Sequence, residues 1–427
     1  MYRLDWVEQL KLGTAAPPSH HQVTGVSPTV WRLGYTSLLT DVSAEMVNSI
    51  LPVYIVLHLH MSPLQYGAID GVYNGMALAL LALVGGLLAD RTRRYKEVAA
   101  FGYGMSAACK LLLLVGGAAW GWITAVVAID RAGKGARTAP RDAMISLVTG
   151  GGSLASAFAV HRALDAGGSL LGPVVAFGLL TLLPDAFDAI WMTSFVFALI
   201  GLAVLWLFVQ NPHDARAPAR EPSGRASLRA VWRTLVLDAV ADRRLLVLIG
   251  AGVLLALATM SDGFVYLMLQ ERSHIASSYF PLFYLATACW YMVLSIPAGR
   301  IADRWGRTPV LLAGYGAVAA IYLILIVAPE ASFTGSMFCL FLFGLHYAAT
   351  EGVLTAMASH LIPPECRTTG LAIVASCIGF AKMGSSLLFG LVWQMWGAQI
   401  ALSAFAVGLA TAVLIALGLL GAHAERA

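Results

Sequence analysis

The sequence predicts an all-α membrane protein with twelve transmembrane helices in two six-helix bundles. Hydrophobic residues make up 59% of the 427 residues and charged residues only 12%, with a mean hydropathy of +0.77, whereas about 25% of a soluble domain is charged. Twelve apolar stretches have the roughly 20 residues needed to cross a bilayer. A charged motif recurs after almost half of the chain, which indicates two copies of one membrane-embedded unit.

Six of the twelve predicted spans fall in each half of the chain. In chain order they cover residues 34–58, 64–89, 97–119, 121–146, 155–181, 187–209, 244–270, 278–303, 308–329, 332–359, 366–393 and 397–421. The predicted domains are an N-terminal tail (1–33), a first lobe (34–209), a central linker (210–243), a second lobe (244–421) and a C-terminal tail (422–427). Within the linker, apolar residues between Leu228 and Val236 recur at helical spacing, which predicts an amphipathic helix on the membrane surface.

The basic residues predict the orientation, because Lys and Arg in short loops stay on the cytoplasmic side. The outer loops hold only Arg272, whereas the inner loops hold Arg91, Arg93, Arg94, Lys96, Arg304, Arg307, Arg367 and the arginines of the linker. We therefore expect both termini in the cytoplasm and the chain in the cytoplasmic (inner) membrane. The net charge of +4 reflects this topology, and no nucleic-acid partner is expected.

The repeated motif closes one apolar segment and precedes the next in each half. It reads Gly-Leu-Leu-Ala-Asp-Arg-Thr-Arg-Arg from Gly86 and Gly-Arg-Ile-Ala-Asp-Arg-Trp-Gly-Arg from Gly299. An Asp in such a loop can accept hydrogen bonds from a facing helix N-terminus in one state and release them in another. The motif thus predicts conformational latches, unless its charges only set topology; the latch candidates are Asp90, Arg91, Asp303 and Arg304.

Thirteen ionisable residues fall inside the predicted spans. Each costs about 3 kcal/mol at the centre of a lipid-exposed helix, so these groups must pair or meet water. In the first lobe they are Asp41, Glu45, Asp70, Lys110, Asp130, Arg131, Lys134, Arg137, Arg162 and Asp165. The second lobe has only Asp262, Glu351 and Lys382.

Depth along the helices predicts which of these charges meet. At about 1.5 Å of rise per residue, Asp41 and Glu45 lie level with Lys134 and Arg131, which predicts the pairs Asp41–Lys134 and Glu45–Arg131. We therefore expect a polar core in the inner half of the first lobe, made of Asp41, Glu45, Arg131, Lys134, Arg137, Arg162 and Asp165. The alternative is a salt-bridged scaffold that only holds the lobe together.

The second lobe offers an aromatic surface with few charges, which suits an amphipathic organic solute better than a small ion. Any one of its aromatic side chains is more often a core residue or a lipid-facing one. The candidate cavity residues are Asp262, Tyr266, Tyr284, Trp290, Tyr347, Glu351 and Lys382.

Together these motifs resemble the major facilitator superfamily over nearly all of residues 34–421. The two loop motifs are similar to its G-x-L-a-D-R-x-G-R-[RK] signature, and Arg131 to Gly135 match the spacing of its fourth-helix arginine motif. Gly168 to Pro173 are similar to the fifth-helix G-x-x-x-G-P motif of its antiporters. The stretches 41–45, 130–145 and 161–165 resemble a bacterial subgroup described as exporters.

The resemblance implies roles for individual residues. It makes Asp90 and Asp303 latches and Arg131 a proton-coupling residue. It also implies a bend at the seam between the lobes, formed by Gly168, Gly172 and Pro173. The chain departs from the family pattern in two places: Arg93 replaces the first motif's glycine, and Val174 to Phe177 replace the usual glycine pair, which weakens the antiporter assignment.

The resulting expectation is proton-coupled export of a small organic solute or drug by alternating access. The alternative is import of an anionic metabolite or metal chelate held by Arg131, Lys134 and Arg137. A membrane enzyme or a non-transporting receptor is the third reading, and no nucleophile–base arrangement supports an enzyme. The expected partners are a small-molecule solute, protons and the lipid bilayer, with a monomeric chain and no cofactor or metal.

The coupling proton is expected on Glu45 and Asp41 rather than on Glu351. The spacing of the first two places both on one helix face, where like charges favour proton binding and the opposing bases disfavour it. Glu351 lies near the inner end of its span, where water keeps it solvated.

Overall fold

A computed structural model describes residues 26–75, 78–149, 153–211, 242–328, 332–363 and 367–424. All of the regular structure in these ranges is helical. The amphipathic helix predicted around Leu228, and with it most of the predicted linker, lies outside the described residues.

Each half of the chain folds into a bundle of antiparallel helices. The first lobe contains α1 (Pro28–Val53, continued by a π-helical turn Tyr54–His58), α2 (Pro63–Gly75), α3 (Leu78–Thr92), α4 (Tyr95–Val115), α5 (Trp120–Leu147), α6 (Leu154–Leu182) and α7 (Phe187–Phe208). The second lobe contains α8 (Arg243–Leu257), α9 (Asp262–Ser273), α10 (Pro281–Trp305), α11 (Arg307–Val327), α12 (Phe333–Leu361), α13 (Arg367–Trp396) and α14 (Ala398–Ala424).

The predicted membrane architecture is confirmed. Helices α2 and α3 together occupy the second predicted span, and α8 and α9 the seventh. Nine helical segments of the described chain are long and apolar enough to cross a bilayer. Large apolar side chains cover the outside of the bundle, among them Leu207 (71% exposed) and Leu414 (69% exposed), as expected of a surface that faces lipid.

Local sequence signals explain where several helices begin. Helix α1 starts at Pro28, ahead of the predicted boundary at residue 34, because Pro28 is preorganised for a first helical position and Ser27 accepts a hydrogen bond from the Thr29 N–H. Asp242 caps α8 in the same way through the Arg244 N–H at 2.8 Å.

The two motif loops both place a residue of positive φ at the same motif position. Gly306 between α10 and α11 has a φ of 99°, and Arg93 at the corresponding place between α3 and α4 has a φ of 55°. A positive φ costs a residue that carries a side chain roughly 1–2 kcal/mol. The first loop therefore keeps a positive φ although its glycine is missing.

Glycines let the helices of the first lobe touch backbone to backbone. A Cβ on Gly133 of α5 would lie 2.8 Å from the Gly102 carbonyl oxygen of α4, so the two backbones are in close contact here. A Cβ on Gly172 of α6 would lie 2.8 Å from the Glu45 Cβ of α1. A Cβ on Gly168 of α6 would likewise overlap the carbonyl oxygen of Leu38 in α1.

This packing corrects the expected place of the fifth-span glycines. Gly168 and Gly172 face α1 of their own lobe rather than the seam between the lobes. Pro173 lies buried within α6, which continues as one helix to Leu182. The family motif therefore serves here to bring α6 onto the face of α1 that carries Asp41 and Glu45.

The lobes meet tightly at one end of the molecule, which we call the Pro63 end. Helix α2 lies against α13 there, and Cβ atoms on Gly67 and Gly71 would approach the carbonyl oxygens of Ser386 and Met383 to 2.5 and 3.0 Å. The rings of Phe177 and Tyr279 add a second contact, at 5.2 Å between centroids.

At the opposite end, which we call the Asp90 end, the lobes separate. A cleft of about 390 Å³ lies there between α3 and α5 of the first lobe and α12 and α13 of the second. Ala82, Thr138 and Asp142 form one wall, and Thr355 and Ile378 belong to the other. The structure is thus closed at the Pro63 end and open at the Asp90 end.

We predict that Gly168→Ala destabilises the protein whereas Gly167→Ala does not. A methyl group at position 168 overlaps the α1 backbone, and overpacking of this kind costs about 1–3 kcal/mol. Position 167 has no atom within 4 Å of its would-be Cβ, so it is a matched control on the same helix. Thermal unfolding of the two purified variants measures the difference, and equal unfolding temperatures would contradict the close α1–α6 contact.

Candidate functional site

The candidate site is the space between the lobes, reached from the Asp90 end. Helices α1 and α5 supply most of the charged side chains on the first-lobe side, and α9, α12 and α13 supply those on the second-lobe side. The two sides differ in chemistry, since all five ion pairs found among the described residues belong to the first lobe.

A buried carboxylate organises the deep part of the first lobe. Asp130 forms ion pairs with the Lys110 Nζ at 2.6 Å and with the Arg131 Nη2 at 2.9 Å. The Ser106 hydroxyl donates a third bond to the same carboxylate at 2.5 Å. The charged members of this cluster are less than a tenth exposed, so the pairing removes a large cost of placing charge in the membrane.

Arg131 is held by its neighbours rather than by Glu45. Its guanidinium lies 3.8 Å from the centroid of the Tyr73 ring, a cation–π contact, in addition to its bond to Asp130. The predicted pair Glu45–Arg131 is wrong, because the Glu45 carboxylate accepts a hydrogen bond from the Asn48 amide at 2.8 Å and no basic group of the described chain lies within 4 Å. Arg131 still attracts this carboxylate from a longer distance.

The predicted pair Asp41–Lys134 is also wrong. Asp41 pairs instead with Arg137 at 3.7 Å, and Arg137 lies over the Tyr103 ring at 4.3 Å. Lys134 is half-buried, lies close enough to attract Asp41, and forms no ion pair within 4 Å in the described ranges. The register between α1 and α5 is displaced by three residues, about 4.5 Å of rise, which is within the error of span boundaries estimated from hydropathy.

The remaining members of the predicted polar core lie closer to the Asp90 end. Asp165 approaches the Arg141 guanidinium at 3.7 Å, and Arg141 also pairs with Asp142 at 3.0 Å. Arg162 is exposed, so it belongs to the surface of α6 and not to the ion-pair cluster. The structure thus brings six of the seven predicted residues into or beside one polar layer.

The second-lobe wall is built around a break in the seventh span. Helix α8 ends at Leu257 and α9 begins at Asp262, whose carboxylate accepts a hydrogen bond from the Tyr347 hydroxyl at 2.5 Å. A cavity of about 50 Å³ opens at this break. Its polar lining consists of Asn74, Thr259, Ser261, Asp262, Tyr315, His346, Tyr347 and Lys382.

The hydrogen bond of His346 determines which of its ring nitrogens can accept a bond in this cavity. Its Nδ1 lies 3.1 Å from the Gly314 carbonyl oxygen, which can only accept, so Nδ1 is the donor. The neutral ring then presents Nε2 as an acceptor. With Asp262 and Lys382, the cavity combines acceptors with one ammonium donor.

The predicted cavity residues of the second lobe divide into three groups. Asp262, Tyr347 and Lys382 line the cavity. Tyr266 lies behind it, fully buried, with its hydroxyl donated to Thr287 at 2.8 Å and its ring against Tyr284 at 4.6 Å.

Glu351 and Trp290 lie outside the cavity lining. Glu351 is exposed one turn beyond Tyr347 on α12, where Lys382 attracts it. The Trp290 ring packs edge-on against Phe341 at 5.0 Å. Phe341 lies about 160° around α12 from the cavity-lining Phe343, so the expected cavity role of Trp290 is wrong.

The predicted latch residues lie at the open end. Asp90 and Arg91 are exposed, as are Asp303 and Arg304. The Tyr95 hydroxyl donates to Asp90 at 3.0 Å within the same lobe. Within the described ranges, no hydrogen bond or ion pair joins Asp90 or Asp303 to the opposite lobe, which is the geometry of released latches.

Asp70 is the residue that sequence reasoning missed. It was counted among the intramembrane charges and given no role, yet it lies where α2 meets α13 and accepts the Ser386 hydroxyl at 2.6 Å. The signal was present in the sequence, because Gly67, Gly71 and Gly75 recur at four-residue spacing, a pattern typical of closely packed membrane helices.

Comparison with known proteins shows that the sequence profile of one family matches most of the chain. The sequence profile of the Major Facilitator Superfamily matches residues 33–386 and 274–426. A transporter of Methanocaldococcus jannaschii, described as an uncharacterized MFS-type transporter, is 29% identical over 381 residues, covering 87% of this chain and 89% of the relative. An uncharacterized protein of Mycobacterium tuberculosis is 26% identical over 380 residues, covering 86% and 88%.

Solved structures share the fold at low sequence identity. The nucleoside transporter NupG superposes with a TM-score of 0.74 at 15% identity, covering 92% of this chain and 99% of that one. A mutant of the peptide transporter POT in complex with alafosfalin gives 0.73 at 14%, covering 93% and 94%. A bacterial homolog of the lysosomal transporter Spinster, in an inward-facing and unoccupied conformation, gives 0.63 at 14%, covering 93% and 95%.

We predict that Asp130→Asn destabilises the protein far more than Lys110→Met. The first change leaves Lys110 and Arg131 as two buried cations without a counter-ion, and breaking a buried pair in this way costs about 3–5 kcal/mol. The second leaves Asp130 paired with Arg131, so the two buried charges that remain balance each other. Unfolding temperatures and the yield of folded protein compare the variants; a larger loss for Lys110→Met would contradict the assigned cluster.

Proposed function

The chain belongs to the Major Facilitator Superfamily, and from this premise we propose that it exports a small organic solute in exchange for protons. It is an integral membrane protein and a secondary transporter, not an enzyme. The proposal therefore concerns the direction of transport, the coupling ion and the class of solute.

The shape of the space between the lobes supports alternating access. The passage is closed at the Pro63 end and open at the Asp90 end. If the basic loops at the Asp90 end lie in the cytoplasm, this arrangement faces inward, as does the conformation reported for the Spinster homolog. A transporter in this state is ready to take up a solute from the cytoplasm.

One carboxylate carries the proposal of proton coupling. Among the intramembrane acids of the first lobe, Asp41, Asp130 and Asp165 each have a basic partner within 4 Å, whereas Glu45 and Asp70 have none among the described residues. Asp70 is buried where the lobes meet and accepts bonds from Tyr66, Asn74 and Ser386, whereas Glu45 has only the Asn48 amide. Along α1 between Asp41 and Ile50, Glu45 and Asn48 are the half-buried positions and the others are buried. Glu45 thus combines partial exposure with freedom from an ion pair.

The surrounding charges provide a means of coupling. Arg131 is fixed by Asp130 and Tyr73, so its attraction for Glu45 changes little while the lobe moves as a body. A proton on Glu45 cancels that attraction, and a solute with a cationic or hydrogen-bond-donating group competes for the same carboxylate. Proton and solute then exclude one another, which is the requirement for exchange.

The second-lobe wall supports an organic solute. Its cavity places Asp262 and Lys382 beside Phe343, Tyr315 and Tyr347, so charged groups are few and aromatic surface is extensive. Such a lining orients a solute through a small number of polar contacts while apolar surface contributes most of the binding free energy.

The alternative is import of an anionic metabolite or a chelate. Lys134 and Arg162 favour it, because neither has an ion-pair partner within 4 Å in the described part of the chain. Arg131 and Arg137 weigh against it, since each is already engaged in an ion pair within the first lobe. Efflux and import are separated by whether expression of the protein lowers or raises accumulation of the solute.

We predict that Glu45→Gln abolishes proton-driven transport and preserves solute binding and passive exchange, whereas Glu351→Gln retains coupling. The glutamine keeps the bond to Asn48 but binds no proton. The measurement uses purified protein in liposomes with an imposed pH gradient, screened against lipophilic cations, anionic metabolites and siderophore-like chelates. Coupled transport that persists in Glu45→Gln and in Asp41→Asn, but is lost in Glu351→Gln, would reverse the assignment.

We predict that Asp90→Asn and Asp303→Asn slow transport severalfold without lowering the unfolding temperature. Both side chains are exposed at the open end, so neither change disturbs core packing. Each removes an interaction that the latch role places in the opposite conformation. Transport rates in liposomes and thermal unfolding are compared for each variant, and wild-type rates in both single variants would exclude the latch roles.

A further inference from the structure

We infer that Asp70 is the gate residue of the Pro63 end, where its hydrogen bond to Ser386 holds the two lobes together. The inference goes beyond proton coupling at Glu45. It applies to transport in either direction and to any solute, because it concerns the closure of the passage and not its cargo.

The bond between Asp70 and Ser386 joins the two lobes. Among the described residues it is the one side-chain hydrogen bond of ordinary geometry between the first lobe and the second. The Ser261 hydroxyl of the second lobe also lies close enough to interact with Asp70, without the geometry of a full hydrogen bond. The Ser386 hydroxyl donates to the Asp70 Oδ2 at 2.6 Å. Asp70 is 7% exposed and Ser386 is fully buried, so water does not compete for the bond in the closed passage.

The other donors to Asp70 come from its own helix and hold the carboxylate in place. The Tyr66 hydroxyl donates to the Oδ1 at 3.3 Å and the Asn74 amide donates at 3.0 Å. No basic group of the described chain lies within ion-pair distance. Asp70 therefore points across the interface as a preformed acceptor, and Ser386 supplies the bond from the partner lobe.

The rest of this interface holds the lobes by contact alone. Gly67, Gly71 and Gly75 bring α2 against the backbone of α13, and the Tyr66 ring meets the Phe264 ring edge-on at 4.8 Å. Separating apolar surfaces inside a membrane carries little hydrophobic cost, because lipid replaces protein. One buried hydrogen bond to a carboxylate is consequently a large part of what favours closure.

Asn74 connects this gate to the cavity. Its amide nitrogen donates to Asp70, and the same side chain lines the cavity together with Asp262 and Lys382. A solute that hydrogen-bonds Asn74 thus acts on a group that helps to hold the gate carboxylate. Occupancy of the cavity and closure of the Pro63 end share one polar chain from Asn74 through Asp70 to Ser386.

The chain contains a matched control for the test. Ser385 is buried like Ser386 and lies next to it on α13, but its hydroxyl donates to the Thr259 carbonyl within the second lobe. Ser385→Ala and Ser386→Ala therefore each remove one buried hydroxyl from one helix, and only the second breaks the bond between the lobes.

The experiment is hydrogen–deuterium exchange by mass spectrometry on the purified full-length chain, without added solute. In Ser386→Ala we expect peptides from 63–75 and 379–390 to exchange about tenfold faster, the effect of losing a hydrogen bond to a charged group. Peptides from 82–92 and 367–378 should exchange more slowly, because the Asp90 end closes as the Pro63 end opens. Ser385→Ala should leave both ends close to wild type.

Two further variants keep the outcome decisive. Ser386→Thr retains the hydroxyl and should keep the wild-type pattern. Asp70→Ala removes the bond to Ser386 together with those from Tyr66 and Asn74, so adding Ser386→Ala to it should cause no further change. Equal exchange in the Ser385→Ala and Ser386→Ala proteins, or additive effects of Asp70→Ala and Ser386→Ala, would overturn the gate assignment. If Ser386→Ala does not fold, Asp70→Ala and Ser386→Thr decide the same question. A failure of proton coupling at Glu45 would leave this result unchanged.

Discussion

The cost of placing charge inside a membrane is the constraint on which the rest of the structure depends. Asp130 pairs with both Lys110 and Arg131 in a site with almost no solvent, and Asp41 and Asp165 pair with Arg137 and Arg141. Such pairs form only where helices approach closely. The glycine contacts of α4 with α5 and of α1 with α6 are therefore part of the electrostatic arrangement and not only of the packing.

The same constraint divides the molecule into rigid and movable parts. Inside the first lobe, ion pairs and backbone contacts fix α1, α4, α5 and α6 relative to one another. Between the lobes, within the described residues, there is one side-chain hydrogen bond of ordinary geometry, a weaker interaction of Asp70 with Ser261, and otherwise glycine and aromatic contact. A body held strongly within its halves and weakly between them moves by rocking one half against the other, which is how secondary transporters alternate access.

The sequence predicted the fold well because the bilayer leaves few choices. Length, hydropathy and the repeated motif identify twelve spans and two lobes, and the motif loop keeps a positive φ even at Arg93, where the glycine is absent. The ion pairs were predicted poorly because rise along a helix gives depth but neither rotation nor neighbours. Asp41 consequently meets Arg137, one turn from the predicted Lys134. The predicted cavity role of Trp290 was wrong for a related reason, because composition does not show which face of α10 meets α12.

Asp70 shows how the sequence can also predict a polar contact between closely packed helices. A charge within a stripe of glycines at four-residue spacing signals a carboxylate at a close helix contact, and such a contact lacks space for a long basic partner. Short donors such as a serine hydroxyl fit instead, as Ser386 does. The described part of the chain thus uses intramembrane carboxylates in three ways. Asp130 is fully paired and structural, Glu45 is half-buried and has no ion pair, and Asp70 has no ion pair and is hydrogen-bonded across the interface. Only the last two can change partners during a transport cycle, because exchanging the partners of Asp130 would leave two buried cations without a counter-ion.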